Sequence, residues 1–208
     1  ALLEQGSLRG RRLGILRSVG GADDRGRPLL DAVVATLREQ GAELIDPVEL
    51  RPDADYSADE STVLLYEFKA DLDSYLQQRG LPAMNSLADV IAFNEREAPR
   101  ELRWFGQELM VDAQRKGGLD AAEYRAARKR AKRLAGPQGI DAVLKKHKLD
   151  ALVALTVSPA GPIDLVNGDN WGSSFGSSTP AAVAGYPSVT VPAGFVHGLP
   201  VGVSFFAG

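Results

Sequence analysis

The sequence contains no cysteine. Disulfide staples, thiolate metal sites and a cysteine nucleophile are therefore excluded. Only two histidines occur, His147 and His197, so a polyhistidine metal centre is excluded as well, and no metal or cofactor is expected. No run approaches the roughly 20 apolar residues that a membrane span requires. The opening residues Ala-Leu-Leu-Glu-Gln show no basic-then-apolar leader pattern. Charge of one sign is scarce: 24 basic against 27 acidic residues leave a net charge of −3, which gives no global pull toward nucleic acid or an anionic membrane.

What is present fits a globular domain. The 208 residues include 44% hydrophobic and 25% charged residues, close to the globular average. A chain of this length buries roughly 70% of its unfolded surface, which is enough for one real core. The expectation is a single α/β domain over residues 1–208, with a mixed β-sheet flanked by helices.

Arg12–Leu16 reads as a buried strand, residues 28–40 as a helix stopped by Gly41, and Ala42–Val48 as a second strand. Strand, helix and strand within about forty residues make a βαβ unit and a parallel pair. Helices are then expected over residues 59–78, from a capping box at Ser86 and Asp89 to about Glu97, and over 99–116. A further helix should run from a second box at Asp120 and Glu123 to about Leu134. Gly136-Pro137 should break it, before another helix over 139–147. At Asp150 the character changes. Ala151–Val157 is a buried-strand run, residues 158–180 form a long Ser/Gly/Pro/Asn/Asp-rich loop, and residues 179–184 form a short helix. Strands Ser188–Val191 and Val201–Phe206 follow. Long loops inside compact domains are commonly functional. The strands near residues 13–16, 151–154, 188–191 and 201–205 are expected in one sheet, the first two parallel, flanked by the helices of 59–147.

Three patterns suggest chemistry, and each has a simpler reading. Gly172-Ser-Ser174-Phe-Gly176 fits the G-x-S-x-G elbow, but no strand precedes it, and no acid lies between Ser174 and His197, as the elbow's chemistry requires. Asp164, Asn167, Asp169 and Asn170 suggest a cation loop, yet no glutamate follows Asp164, and turn chemistry explains them better. Arg125, Arg128, Lys129, Arg130, Lys132 and Arg133 form a basic run with one aromatic, Tyr124, beside it, which reads as a solvated helical face. Gly20-Gly21 before Asp23-Asp24 is no phosphate loop, since it lacks the GKS/T ending and carries two carboxylates.

Longer motifs carry a resemblance. Leu149-Asp-Ala-Leu-Val153, Pro159-Ala160, Ile163-Asp164, Asn167-Gly-Asp169, the stretch Ala181-Ala-Val-Ala-Gly-Tyr-Pro-Ser-Val-Thr-Val-Pro-Ala-Gly194 and the closing Gly198-Leu-Pro-Val-Gly-Val203 resemble the C-terminal region of the amidase signature family. Ser86-Leu-Ala-Asp-Val-Ile-Ala-Phe-Asn94, Phe105-Gly-Gln107 and Leu8-Arg-Gly-Arg-Arg-Leu-Gly-Ile15 are similar to the subgroup of bacterial peptide amidases.

The resemblance implies the C-terminal part of an amidase signature fold. The family's activity is hydrolysis of carbon–nitrogen bonds by a Lys, a cis-Ser and a nucleophilic Ser. Those residues belong to an N-terminal Lys-bearing segment and a Gly-Gly-Ser-Ser-Gly-Gly-type stretch. Gly172–Ser178 lies far downstream of that stretch, so no catalytic residue is assigned in this chain, and Lys145 and Lys146 are read as solvated. A hydroxyl needs a positioned base to become a nucleophile, and the oxyanion needs preorganised donors. What remains is scaffold and one wall of a substrate cleft, with Thr156, Asp169, Trp171, Ser173 and Ser174 as the substrate-binding candidates.

The partners expected are a small amide substrate in the complete enzyme, and the missing N-terminal half or a second copy against apolar side chains left bare among Leu152, Val153, Val189, Val191 and Val203. No nucleic acid or membrane partner is expected. Localisation is not legible, with the cytoplasm as the default. The alternative function is a truncated, non-catalytic amidase-like module that binds a ligand or partner.

Overall fold

The structure, a computed structural model, describes residues 8–20, 25–168 and 175–208. Along the chain run β1 (Arg12–Leu16), α1 (Arg17–Gly20), α2 (Arg27–Glu39), β2 (Glu43–Val48), a 3-10 turn, α3 (Ser57–Arg79), α4 (Leu87–Arg96), α5 (Ala98–Glu101), α6 (Glu108–Gln114), α7 (Ala122–Ala135), a π-turn (Gly136–Ile140), α8 (Asp141–His147), β3 (Ala151–Leu155), α9 (Ser178–Ala184), β4 (Ser188–Val196) and β5 (Leu199–Phe206). They form two compact units: residues 1–55 with 132–208, and residues 56–131.

The first unit is built on a five-stranded mixed sheet, order β2-β1-β3-β5-β4. β1 pairs in parallel with β2 and with β3, as the βαβ spacing requires, whereas β3–β5 and β5–β4 are antiparallel. All four expected strands lie in this one sheet. Leu13, Ile15, Val153, Leu155, Val201 and Val203 on one face bury against Leu30, Val34 and Leu37 of α2. Those three residues sit at the i, i+4, i+7 spacing of one helical stripe.

The inner strands are covered more completely than the sequence suggested. Leu152 and Val153 are fully buried and Val203 nearly so, the last two within the cluster under α2. Val189 and Val191 on β4 do stand bare, at 61% and 42% exposure. β4 is also longer than expected. With β5 it forms one hairpin from Ser188↔Phe206 to Val196↔Leu199, with a register shift between Pro192 and Gly194, so pairing extends past Val191 to the turn at His197-Gly198.

Gly136-Pro137 does not break the helical path. α7 passes through the π-turn directly into α8. A π-turn widens the hydrogen-bond register, and so accommodates a proline that has no N–H to give.

In the second unit Ser86 caps α4: its Oγ accepts the Asp89 N–H at 3.2 Å, and Asp89 Oδ2 accepts the Asn85 N–H at 2.9 Å. The Asn85 N–H first, and then the Ser86 hydroxyl, which also donates to Asp89 Oδ2 at 2.9 Å, hold the Asp89 carboxyl below its ordinary range. The expected helix over 99–116 is two pieces, α5 and α6. Gly106 lies in the gap, and the Gln107 amide turns back to α4, accepting from Asn94 Nδ2 at 3.1 Å and donating to the Ile91 carbonyl at 3.3 Å. Glu123 forms no capping box. It accepts from Tyr66 Oη at 2.7 Å, while Tyr124 Oη donates to Glu67 at 2.6 Å. α3 and α7 are thus joined by two reciprocal Tyr–Glu bonds, with the Tyr66 and Tyr124 rings 5.6 Å apart. The basic run of α7 is exposed, opposite the buried Tyr124, Ala127 and Ala131, and Arg130 clasps Asp59 with two nitrogens.

Candidate functional site at the carboxyl ends of β1 and β3

In open α/β sheets, ligands bind outside the carboxyl ends of parallel strands where the strand order reverses. Here that point lies between β1 and β3, since the chain leaves β1 toward β2 on one side and β3 lies on the other. Two loops meet there. Gly26, at the end of the segment following β1, lies against Leu155 and the Phe175 ring, at the return of the loop following β3.

The loop after β3 is pinned at its base. The Ser158 N–H donates to the Phe175 carbonyl at 2.7 Å and the Ser177 N–H to the Thr156 carbonyl at 3.0 Å, with a Val157↔Gly176 bridge between. Ser177 is fully buried, and its Oγ donates to the Leu155 carbonyl at 2.9 Å. Phe175 anchors the return in the core under α2. Val157 in the clamp, and Ile163, Leu165 and Val166 beyond it, are exposed. Asp164 serves turn chemistry: Oδ1 accepts the Val166 and Asn167 N–H groups, each at 2.9 Å, and Oδ2 accepts Asn167 Nδ2 at 2.8 Å. These bonds, the Asn167 N–H first, hold its carboxyl below the ordinary range.

On the β1 side, Arg17 is fully engaged. Its Nε and Nη2 donate to Asp46 at 2.6 and 2.7 Å, and Nη1 donates to Asp31 at 2.8 Å. These bonds, those to Asp46 first and Asp31 second, raise its pKa further, and they tie the start of α1 to α2 and β2.

Of the substrate-binding candidates, Thr156 sits in this site. Asp169, Trp171, Ser173 and Ser174 lie outside the described residues, as do Gly21–Asp24. Thr156 has two companions that the sequence reading missed. Its Oγ1 is 2.7 Å from Ser204 Oγ, which is 3.0 Å from Thr190 Oγ1. The visible signal was hydroxyl residues set into two apolar strand runs, Ser188 and Thr190 in SVTVP and Ser204 in VGVSFF. Register alone decides that they meet, Thr190 standing opposite Ser204 in the hairpin. Lys145 and Lys146 are exposed on α8, as expected.

The comparisons agree with one family. A family model described as Amidase matches residues 2–208. A probable amidase from Arabidopsis thaliana is 34% identical over 210 residues, spanning 98% of this chain and 36% of that protein. The native peptide amidase from Stenotrophomonas maltophilia superposes with a TM-score of 0.85 at 44% identity, over 99% of this chain and 40% of its own. A peptide amidase in complex with the competitive inhibitor chymostatin gives 0.89 and 46%, over 99% and 41%. The chain belongs to the amidase family, and within it is peptide amidase-like. It spans about two fifths of the length of these relatives.

Proposed function

We propose that this chain is the C-terminal portion of an amidase, and that the complete enzyme hydrolyses carbon–nitrogen bonds of small amides. The observation that carries this is a family match over essentially the whole chain, set beside relatives about two and a half times as long. The Lys, cis-Ser and nucleophilic Ser of the family mechanism then lie outside these residues, and this portion supplies scaffold and the cleft wall formed by Thr156 and the loop that follows it.

The free edge of the sheet supports a partner. β4 is nine residues long and carries no Asp, Glu, Lys or Arg, and neither does any residue from 170 to 208. Natural edge strands are guarded by charge, whereas this one exposes Val189, Val191 and Phe195, with Leu199 beside them on β5. The N-terminal portion of the amidase is the occupant proposed for this edge.

An amide-hydrolysis assay tests the reading. The 208-residue chain should release no ammonia from peptide or aryl amides above buffer. The protein that includes the residues encoded upstream of Ala1 should do so, and that upstream sequence should hold the Lys-bearing segment and the Gly-Ser-rich stretch. Turnover by the chain alone that disappears in Ser174→Ala would overturn the assignment. A start codon at Ala1 would favour the non-catalytic module instead.

A further inference from the structure

Asn167-Gly168 is the one Asn-Gly pair in the sequence. Such a pair can modify itself. With no Cβ on the glycine, its backbone nitrogen can approach the carboxamide carbon of the residue before it. The Gly168 nitrogen bonds to Asn167 Cγ, the Cγ–Nδ2 bond breaks, and the proton from the nitrogen leaves with the amide nitrogen as ammonia. Water then opens the five-membered imide at one carbonyl or the other, which leaves aspartate or isoaspartate at position 167.

Asn167 is exposed, and Gly168 is half-buried with φ at 79°. Both reacting nitrogens are nevertheless committed to one residue. The Gly168 N–H donates to the Asp164 carbonyl at 3.1 Å, and Asn167 Nδ2 donates to Asp164 Oδ2 at 2.8 Å. Asp164 Oδ1 holds the Val166 and Asn167 N–H groups, so the same carboxylate fixes the backbone between them. For attack, the Gly168 nitrogen must give up the proton it donates, and Nδ2 must release the carboxylate. Breaking one hydrogen bond to a charged group alone slows such a step about tenfold or more.

We propose that Asn167-Gly168 is a latent deamidation site, and that Asp164 is the positioning residue that holds it closed. The change runs one way. Deamidation replaces the Nδ2 donor with a carboxylate oxygen beside Asp164 Oδ2, so two like charges stand where a hydrogen bond stood, and the turn opens. The chemistry needs only this chain and water, and it stands apart from the amidase reading.

The test is incubation of the 208-residue chain at mildly alkaline pH, with peptide mapping by mass spectrometry to resolve aspartate and isoaspartate at position 167. A free peptide of residues 161–171 is the reference. The chain should deamidate about tenfold or more slowly than the peptide. Asp164→Ala should bring the chain close to the peptide rate, with hydrogen exchange in β3 and β5 unchanged. Asn167→Asp should speed amide exchange at residues 166–168 more than Asn167→Ala does, because it adds repulsion to the lost bond. A wild-type chain as fast as the peptide, an Asp164→Ala chain as slow as wild type, or a product without isoaspartate would each overturn the inference. So would acceleration in Asp164→Ala that comes with faster exchange across β3 and β5, since loss of the fold would then be the cause. Equal exchange in Asn167→Asp and Asn167→Ala would overturn the opening of the turn by like charge.

Discussion

The two units hold themselves together by different chemistry. In the sheet unit, residues far apart in sequence bury apolar side chains: Leu13 and Ile15 of β1, Val153 and Leu155 of β3 and Val203 of β5 share one cluster with α2. In the helical unit, polar ties between side chains join α3 to α7: Tyr66–Glu123, Glu67–Tyr124 and Asp59–Arg130. Lys69 Nζ adds bonds to the Gln114 and Lys116 carbonyls at the end of α6. The same helical unit leaves Leu64, Phe68 and Tyr75 exposed along α3. The sheet unit has directed bonds too, those of Arg17 to Asp46 and Asp31, but its apolar cluster joins segments distant in sequence, whereas between α3 and α7 hydrogen bonds to carboxylates fix how the helices meet.

That contrast can be broken or sharpened by experiment. The largest effect should come from Leu155→Ala, which deletes a fully buried side chain in the sheet core. It should cost about 2–5 kcal/mol, read by hydrogen exchange as faster amides in β1 and β3 with α3 and α7 unchanged. Equal acceleration in both units would show that they unfold as one block.

Next comes Gly14→Val. A Cβ at this position would lie 2.5 Å from Leu149 Cδ1 and 3.0 Å from Val48 Cγ2, so the larger side chain must displace the packed face. About 1–3 kcal/mol of overpacking is expected, measured by denaturant midpoint at unchanged slope.

Tyr124→Phe should have a smaller effect, about 0.5–1.5 kcal/mol, confined to the exchange of α3 and α7. A wild-type profile there would mean that ring packing, not the bond to Glu67, joins these helices.

The acid and alkaline limbs should follow the same bonds. Glu123 is held below its ordinary 4.5 by the Tyr66 hydroxyl first and Lys116 second. Its contribution is whole above that value and drains as pH falls below it, because the unfolded chain takes the proton first. Tyr66 and Tyr124 are raised above 10.0 by hydrogen bonding to Glu123 and Glu67. Their contribution is whole below 10.0 and drains as pH rises through the raised values. Exchange in α3 and α7 followed against pH checks both limbs, and Tyr66→Phe should flatten the Glu123 part of the acid limb.

The smallest change in stability is expected from Val189→Lys with Phe195→Lys, within about 0.5 kcal/mol at exposed positions. If the bare edge drives association, sedimentation of the wild-type chain should show higher species that this double variant lacks.

Much of the sheet was legible because its signals are local. Arg12–Leu16 and Ala151–Leu155 are short apolar runs between breakers, and residues 30, 34 and 37 mark the buried stripe of α2 without any knowledge of the partner. The N-cap at Ser86 was legible for the same reason, since donor and acceptor lie three residues apart. The family, too, was readable from the linear motifs alone.

Tertiary structure alone decided the rest. Nothing local shows that Gly136-Pro137 is carried through a π-turn, that Glu123 leaves its own helix end for Tyr66, or that Gln107 folds back on α4. Thr156 stood out as a loop-base hydroxyl, but Thr190 and Ser204 join it from 34 and 48 residues away, and only the pairing of β3, β5 and β4 brings the three oxygens together. Hydrophobic period and capping are properties of neighbouring residues, so the sequence determined which segments become strands and helices. A hydroxyl's partner depends on which strands lie side by side, a choice made by burial of the whole sheet.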